Sequence, residues 1–129
     1  MHRVEGIPQS VAIGGRTFQV DCTKRRPPWV KLDPGEKDAD IGGGISFELQ
    51  RIWLRNTGVI DKMQDNLMHE VGHGLLDLVY DSSEKVKFAV DGNKDLDEAL
   101  TDGLGKALLS FLRDNDHAWA RATARTVPE

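Results

Sequence analysis

Residues 69–73 read His69-Glu70-Val71-Gly72-His73, the pattern H-E-x-x-H. On a helix, residues four apart stand one above the other, so both imidazoles can reach a single metal ion. Glu70 then projects toward the ion's open side, where a carboxylate can take a proton from water. The flanks Leu67-Met68 and Gly74-Leu75 add no charge, and so dry a surround favours neutral imidazole and a firmly held ion. The chemistry within reach is metal-assisted hydrolysis. The plain alternative is a helix bearing two surface histidines that bind nothing.

A catalytic zinc takes three protein ligands and leaves one position open. Asp77 continues the face of His69 and His73, but at that separation it lies about 12 Å along the helix axis from His69, too far to share one tetrahedral ion. It reads as a solvated or outer carboxylate. A metzincin-type extension would need Gly at 76 and His at 79, where the chain has Leu76 and Val79. The better source is Asp97-Glu98-Ala99-Leu100-Thr101-Asp102. With Glu98 as ligand, Asp102 follows one turn later, placed to accept a hydrogen bond from a ligand histidine and fix its tautomer. Alternatively, Glu98 only caps its helix and Asp102 is a solvated charge. His117 is a substitute ligand, although Asp114, Asn115 and Asp116 beside it read as an exposed helix start. Tyr80 and His117 are the Tyr and His of the C-terminal half that could donate to an oxyanion, and neither is favoured.

The elements that must position these residues are legible in part. Asp61 and Gln64 form a capping-box pattern, and Met63, Leu67, Val71, Leu75 and Leu78 then recur at helical spacing. Gly72 and Gly74 oppose a helix by about 1 kcal/mol each, so their presence predicts close approach of another backbone, namely the element bringing the remaining ligand. Asp95 and Glu98 make a second capping-box pattern, ahead of a stripe of Leu96, Leu100, Leu104, Ala107, Leu108, Phe111 and Leu112. Upstream, residues 11–13 and 16–20 flank Gly14-Gly15, a hairpin signal. Trp29–Leu32 is a candidate strand closed by Asp33-Pro34-Gly35, and 36–44 reads as an exposed loop. Residues 45–54 form the strongest strand pattern, ending in Ile52-Trp53-Leu54, apolar throughout as where both faces are covered. Residues 81–94 are a polar connection with room for a short strand at Val86–Val90, and 115–125 could form a last helix. The expectation is an α+β fold. A small N-terminal, mostly antiparallel sheet precedes an active-site helix, a glutamate helix and a short C-terminal helix, in one domain over 1–129.

H-E-x-x-H followed on a later helix by Asp-Glu-x-x-Thr-Asp resembles the gluzincin metallopeptidases, whose glutamate helix carries Glu-x-x-x-Asp. The resemblance spans residues 45–113, and the size and element order look most like the minimal gluzincins and compact phage- or plasmid-type metallopeptidases. It implies a zincin-like metallopeptidase domain in which His69, His73 and Glu98 hold Zn2+, Glu70 is the general base and Asp102 partners a histidine. It also implies a sheet strand edging the cleft, near residues 45–54, to which an extended peptide adds by backbone pairing. Larger gluzincins carry a C-terminal subdomain with a Tyr or His for the oxyanion; this chain is too short for one, which leaves that role unassigned. The function implied is a zinc-dependent metalloendopeptidase. Two alternatives stand beside it: a catalytically silent zinc-binding interaction module, and a partner-regulated protease dedicated to one protein substrate. Glu70 weighs against the silent module, because a purely structural site has no need of a carboxylate at the open position.

Composition sets the remaining bounds. The chain has 129 residues and a net charge of −4. Lys24-Arg25-Arg26 is too short a basic run to imply nucleic acid, so the expected partner is a peptide or protein substrate. Cys22 is the one cysteine, which excludes an internal disulfide or a Cys-type zinc site and points to a reducing cytosol. The N-terminus shows no signal-peptide pattern, and the apolar runs fall far short of a bilayer span. The expectation is a cytoplasmic protein with no membrane partner.

Overall fold

Gly14 and Gly15, both at positive φ (60° and 80°), supply the backbone that a two-residue hairpin turn demands. They join β1 (Ser10–Ile13) to an antiparallel β2 (Arg16–Thr23), as the Gly-Gly signal predicts. The computed structural model describes residues 3–114; the expected helix at 115–125, with His117, lies outside them.

The expected single strand over 45–54 is in fact a hairpin of β3 (Gly43–Ser46) and β4 (Arg51–Arg55). Residues 47–50 turn between them: Ser46 Oγ accepts from the Leu49 amide at 3.0 Å, and Gln50 takes a left-handed φ of 51°. Alternating side chains suit a hairpin arm as well as a long strand, and the periodicity alone could not separate the two. Trp29–Leu32 forms no strand either. Pro27 O accepts from the Val30 amide at 3.1 Å, and Arg26 donates to Val30 O, so turn and side-chain bonds take the groups a ladder would use.

The strands lie in the order β1-β2-β4-β3. The β2–β4 pairing is parallel and the other two are antiparallel. Parallel neighbours need a long connection, here residues 24–50. β4 is central, and Ile52, Trp53 and Leu54 are all fully buried. Ile52 and Leu54 join Phe18, Val20 and Cys22 in the core beneath the helices. Trp53 faces the opposite side, where its indole N–H donates to Thr23 Oγ1 at 2.9 Å and the Arg55 guanidinium stands 5.0 Å from the ring centroid. Arg55 also donates to the carbonyls of Lys24, Asp38 and Ile41, which ties the 24–42 loop down at this end of the sheet.

Three helices follow: α1 (Ile60–Ser82), α2 (Glu84–Val90) and α3 (Lys94–Asp114). The fold is α+β, as the sequence predicts. Three local expectations need correction. The α1 N-cap is Val59, so Asp61 falls inside the first turn, while buried Gln64 donates to Gly6 O at 3.0 Å instead of closing a capping box. α3 is capped by Asn93, whose Oδ1 accepts from the Leu96 amide at 3.0 Å, which leaves Asp95 in the first turn and Glu98 free of capping. The segment Val86–Val90 is helical, because Ser83 Oγ accepts from the Val86 amide at 3.4 Å and starts α2. The α1 stripe buries Met63, Leu67 and Val71, whereas Leu78 is exposed. Among the described residues of α3, Thr101, Gly105 and Leu109 are buried and Leu108 and Leu112 pack against the core, while Leu96 and Leu100 are exposed. Among the described residues no helix is long and apolar enough to cross a membrane.

Candidate metal centre

α1 and α3 lie in near-backbone contact, and two glycines permit it. A Cβ on Gly72 would stand 2.8 Å from Thr101 O, and one on Gly105 would stand 2.7 Å from Met68 O. This is the close approach expected at the helix-opposing Gly72; Gly74 differs, since a Cβ there would first meet the side chains of Ile13 and Ile45 rather than another backbone. Its consequence is to bring Glu98, at the start of α3, over the two histidines of α1.

His69 Nε2 lies 3.4 Å from Glu98 Oε2, and His73 Nε2 lies 3.5 Å from Glu98 Oε1. Both separations exceed an ordinary hydrogen bond. They match the spacing of about 3.4 Å between donors of a tetrahedral ion bound at about 2.1 Å. The imidazoles meet edge to face with centroids 4.9 Å apart. One donor atom from each of His69, His73 and Glu98 falls within 4.8 Å of the others, the only such group of three among the described residues, so this half-buried cluster could hold a metal ion.

The outer nitrogens of the imidazoles have different neighbours. His69 Nδ1 is 3.8 Å from Asp102 Oδ1, on the side expected but beyond hydrogen-bond reach. Asp102 instead pairs with Lys106 at 3.0 Å, and that hydrogen bond is the main reason its carboxyl sits below the usual range. His73 Nδ1 lies 3.5 Å from the hydroxyl of Thr101, a fully buried side chain that the sequence reading missed. Thr101 comes three residues after Glu98, hence on the same helical face, and that spacing was the available signal. Burial, chiefly, holds the His73 imidazole below its ordinary pKa, with the Glu98 charge acting in the opposite direction.

Glu70 is 7% exposed and makes no hydrogen bond among the described residues. Burial, and secondarily the Glu98 charge, pushes its carboxyl up to about 8. A Cβ on Gly43 would lie 3.3 Å from Glu70 Oε2, so the carboxylate rests against β3. In front of it opens a cleft of about 560 Å³ that it shares with His69, His73 and Glu98. The walls are Gly42–Ile45 of the β3 edge, Asn66 of α1, and Trp29, Lys31, Asp33 and Glu36 of the long loop. Lys94 of α3 reaches across to Asp33 at 2.8 Å. None of the loop residues carries a motif, which is why sequence patterns do not reveal this wall.

Asp77 is exposed and outside the cluster, as helix rise predicts. Tyr80 donates its hydroxyl to Asp97 Oδ1, and burial together with this bond raises its pKa to about 12. Its proton is thus already engaged. No protein-family model, curated protein or solved structure matches the chain.

Proposed function

We propose that the chain is a zinc-dependent peptidase with His69, His73 and Glu98 as ligands and Glu70 as general base. The observation that carries this reading is the placement of Glu70: buried, without a hydrogen-bond partner among the described residues, and lining the same cleft as the three clustered donors. A structural metal would not call for such a group. Two imidazoles and one carboxylate, with the cleft side open, are a donor set suited to zinc. Bound there, zinc would polarise a scissile carbonyl and acidify a water. Glu70 takes the proton of the attacking water and returns it to the departing amine. The Thr101 hydroxyl stands by the outer nitrogen of His73 and biases that ring toward offering Nε2 to the ion. The exposed backbone edge of β3 suits an extended peptide, and the single buried thiol, Cys22, fits a reducing cytosol.

Zinc per chain, measured by elemental mass spectrometry, tests the site. About one zinc is expected in wild type and far less in Glu98→Ala. Glu70→Gln should retain zinc while losing peptide hydrolysis by several orders of magnitude, because it removes the proton acceptor and keeps the shape. Near-normal turnover in Glu70→Gln would remove Glu70 from its role. Zinc bound without turnover in wild type would identify a metal-holding interaction module.

A further inference from the structure

Two cavities adjoin at the donor cluster, with His73 and Glu70 on the boundary between them. On one side is the cleft described above; on the other is a second cavity of about 310 Å³, between the end of β3, the middle of α1 and the start of α3. Ile45, Glu70 and His73 line both. An extended chain passing the cluster along β3 therefore continues into the second cavity. We propose, resting on the peptidase reading, that this cavity is a subsite for a basic side chain, lysine or arginine, of the peptide substrate.

Three features point to that chemistry. Half-buried Ile45 and the 37%-exposed ring of Phe47 give apolar surface against which a methylene stem can lie, as long cationic side chains do elsewhere. Asp77 and Asp97 supply carboxylates beyond that surface, and no lysine or arginine among the described residues lines the cavity. Asp97 accepts one hydrogen bond, from Tyr80, out of roughly four that a carboxylate can take, while Asp77 has no ion pair among the described residues. The buried Glu70 carboxyl faces the same space and has no hydrogen-bond partner among the described residues. A bare metal ion is a poor occupant, since among the described residues Asp77 and Asp97 belong to no group of three donors within one ion's reach. A peptide's terminal amine would satisfy the carboxylates but leave Ile45 and Phe47 uncovered. An acidic side chain would be repelled.

The test uses the full chain as zinc-loaded Glu70→Gln, which should bind peptides without cutting them. A random pool of N-acetylated, C-amidated decapeptides is passed over the immobilised protein, and the retained peptides are sequenced by mass spectrometry. Enrichment of lysine plus arginine by about fivefold over the input is expected, the size of one favourable exposed ion pair, and it should shrink in 1 M salt. The same protein carrying Asp77→Asn and Asp97→Asn should lose the enrichment while keeping zinc and its circular dichroism spectrum. No retained peptide, no basic enrichment, or equal enrichment in the Asn variant would overturn the subsite. So would enrichment confined to a companion pool with free N-termini, which would assign the carboxylates to a terminal amine. Wild-type protein exposed to the same pool separates the two ideas: basic peptides retained by Glu70→Gln but left uncut by wild type would sink the peptidase reading and leave the subsite standing.

Discussion

Cys22 and Glu70 are both buried groups able to lose a proton, and the fold treats them differently. Cys22 is 1% exposed in the core, and burial, helped by the nearby Asp21 charge, pushes its thiol up to about 12. The thiolate, which is the reactive form, is then about one part in ten thousand at pH 8. Iodoacetamide at pH 8 should leave the native protein unmodified, as read by intact mass, and should add one adduct per chain in denaturant. Rapid native labelling would place the thiol outside the core. Glu70, by contrast, is buried at the wall of a cleft, where a cation held by its neighbours would stabilise its charged form. H-E-x-x-H marks this residue with no structure at all, because helix spacing alone puts it beside the face that carries the two imidazoles. Thr101 was hidden because a threonine three residues after a glutamate is ordinary until a histidine is seen against it.

At the scale of elements, the site depends on how closely α3 lies on α1, and three glycines of these helices separate packing from propensity. A Cβ on Gly105 would meet the α1 backbone at Met68 O and His69 N, 2.7 and 3.0 Å away, whereas one on Gly103 meets nothing within 4 Å. Gly105→Ala should therefore cost about 1–3 kcal/mol in urea denaturation through overpacking, and zinc retention should fall as Glu98 is levered away from the histidines. Gly103→Ala should stabilise by about 0.5–1 kcal/mol, because it removes only the entropic cost of a helical glycine. Gly72→Ala should behave like Gly105→Ala, its obstacle being Thr101 O at 2.8 Å. Equal effects at positions 103 and 105 would mean that the helices do not touch where the coordinates place them. The sequence indicates that Gly72 marks a close contact, whereas the inward face of α3 follows the leucine stripe only in its second half. Of the expected leucine stripe, Leu108 and Leu112 do pack against the core, but Leu96 and Leu100 are exposed, and Thr101, Gly105 and Leu109 are the buried positions among the described residues.

For the molecule as a whole, a bound ion would tie together residues 69, 73 and 98, and so two long helices. A ligand that binds only the folded chain stabilises it by about 2.7 kcal/mol at a hundred times its Kd, which for a chain of this size amounts to roughly 10 °C in Tm. Calorimetry of the zinc-loaded protein should show that rise over chelator-treated protein. Glu98→Ala should show little of it. A Tm indifferent to zinc and chelator in wild type would count against a site that bridges α1 and α3. The 24–42 loop contributes at the same scale, since it closes one wall of the cleft and is clasped to α3 by the exposed Asp33–Lys94 pair.

The sequence by itself determined the α+β class, the Gly14-Gly15 hairpin, the fully buried Ile52-Trp53-Leu54 run, the two long helices and the pairing of His69 with His73 on one helical face. Each is written locally, in periodicity, turn chemistry or spacing along one element. Only the tertiary structure decided that residues 45–54 turn back on themselves, that β2 and β4 run parallel, that Ser83 makes 84–90 a helix, and which face of α3 meets α1. It also decided that a motif-free loop walls the cleft and that Asp102 pairs with Lys106 before His69. Those outcomes depend on contacts between residues far apart in the chain, where hydrogen bonds and close packing from another element outweigh local preference.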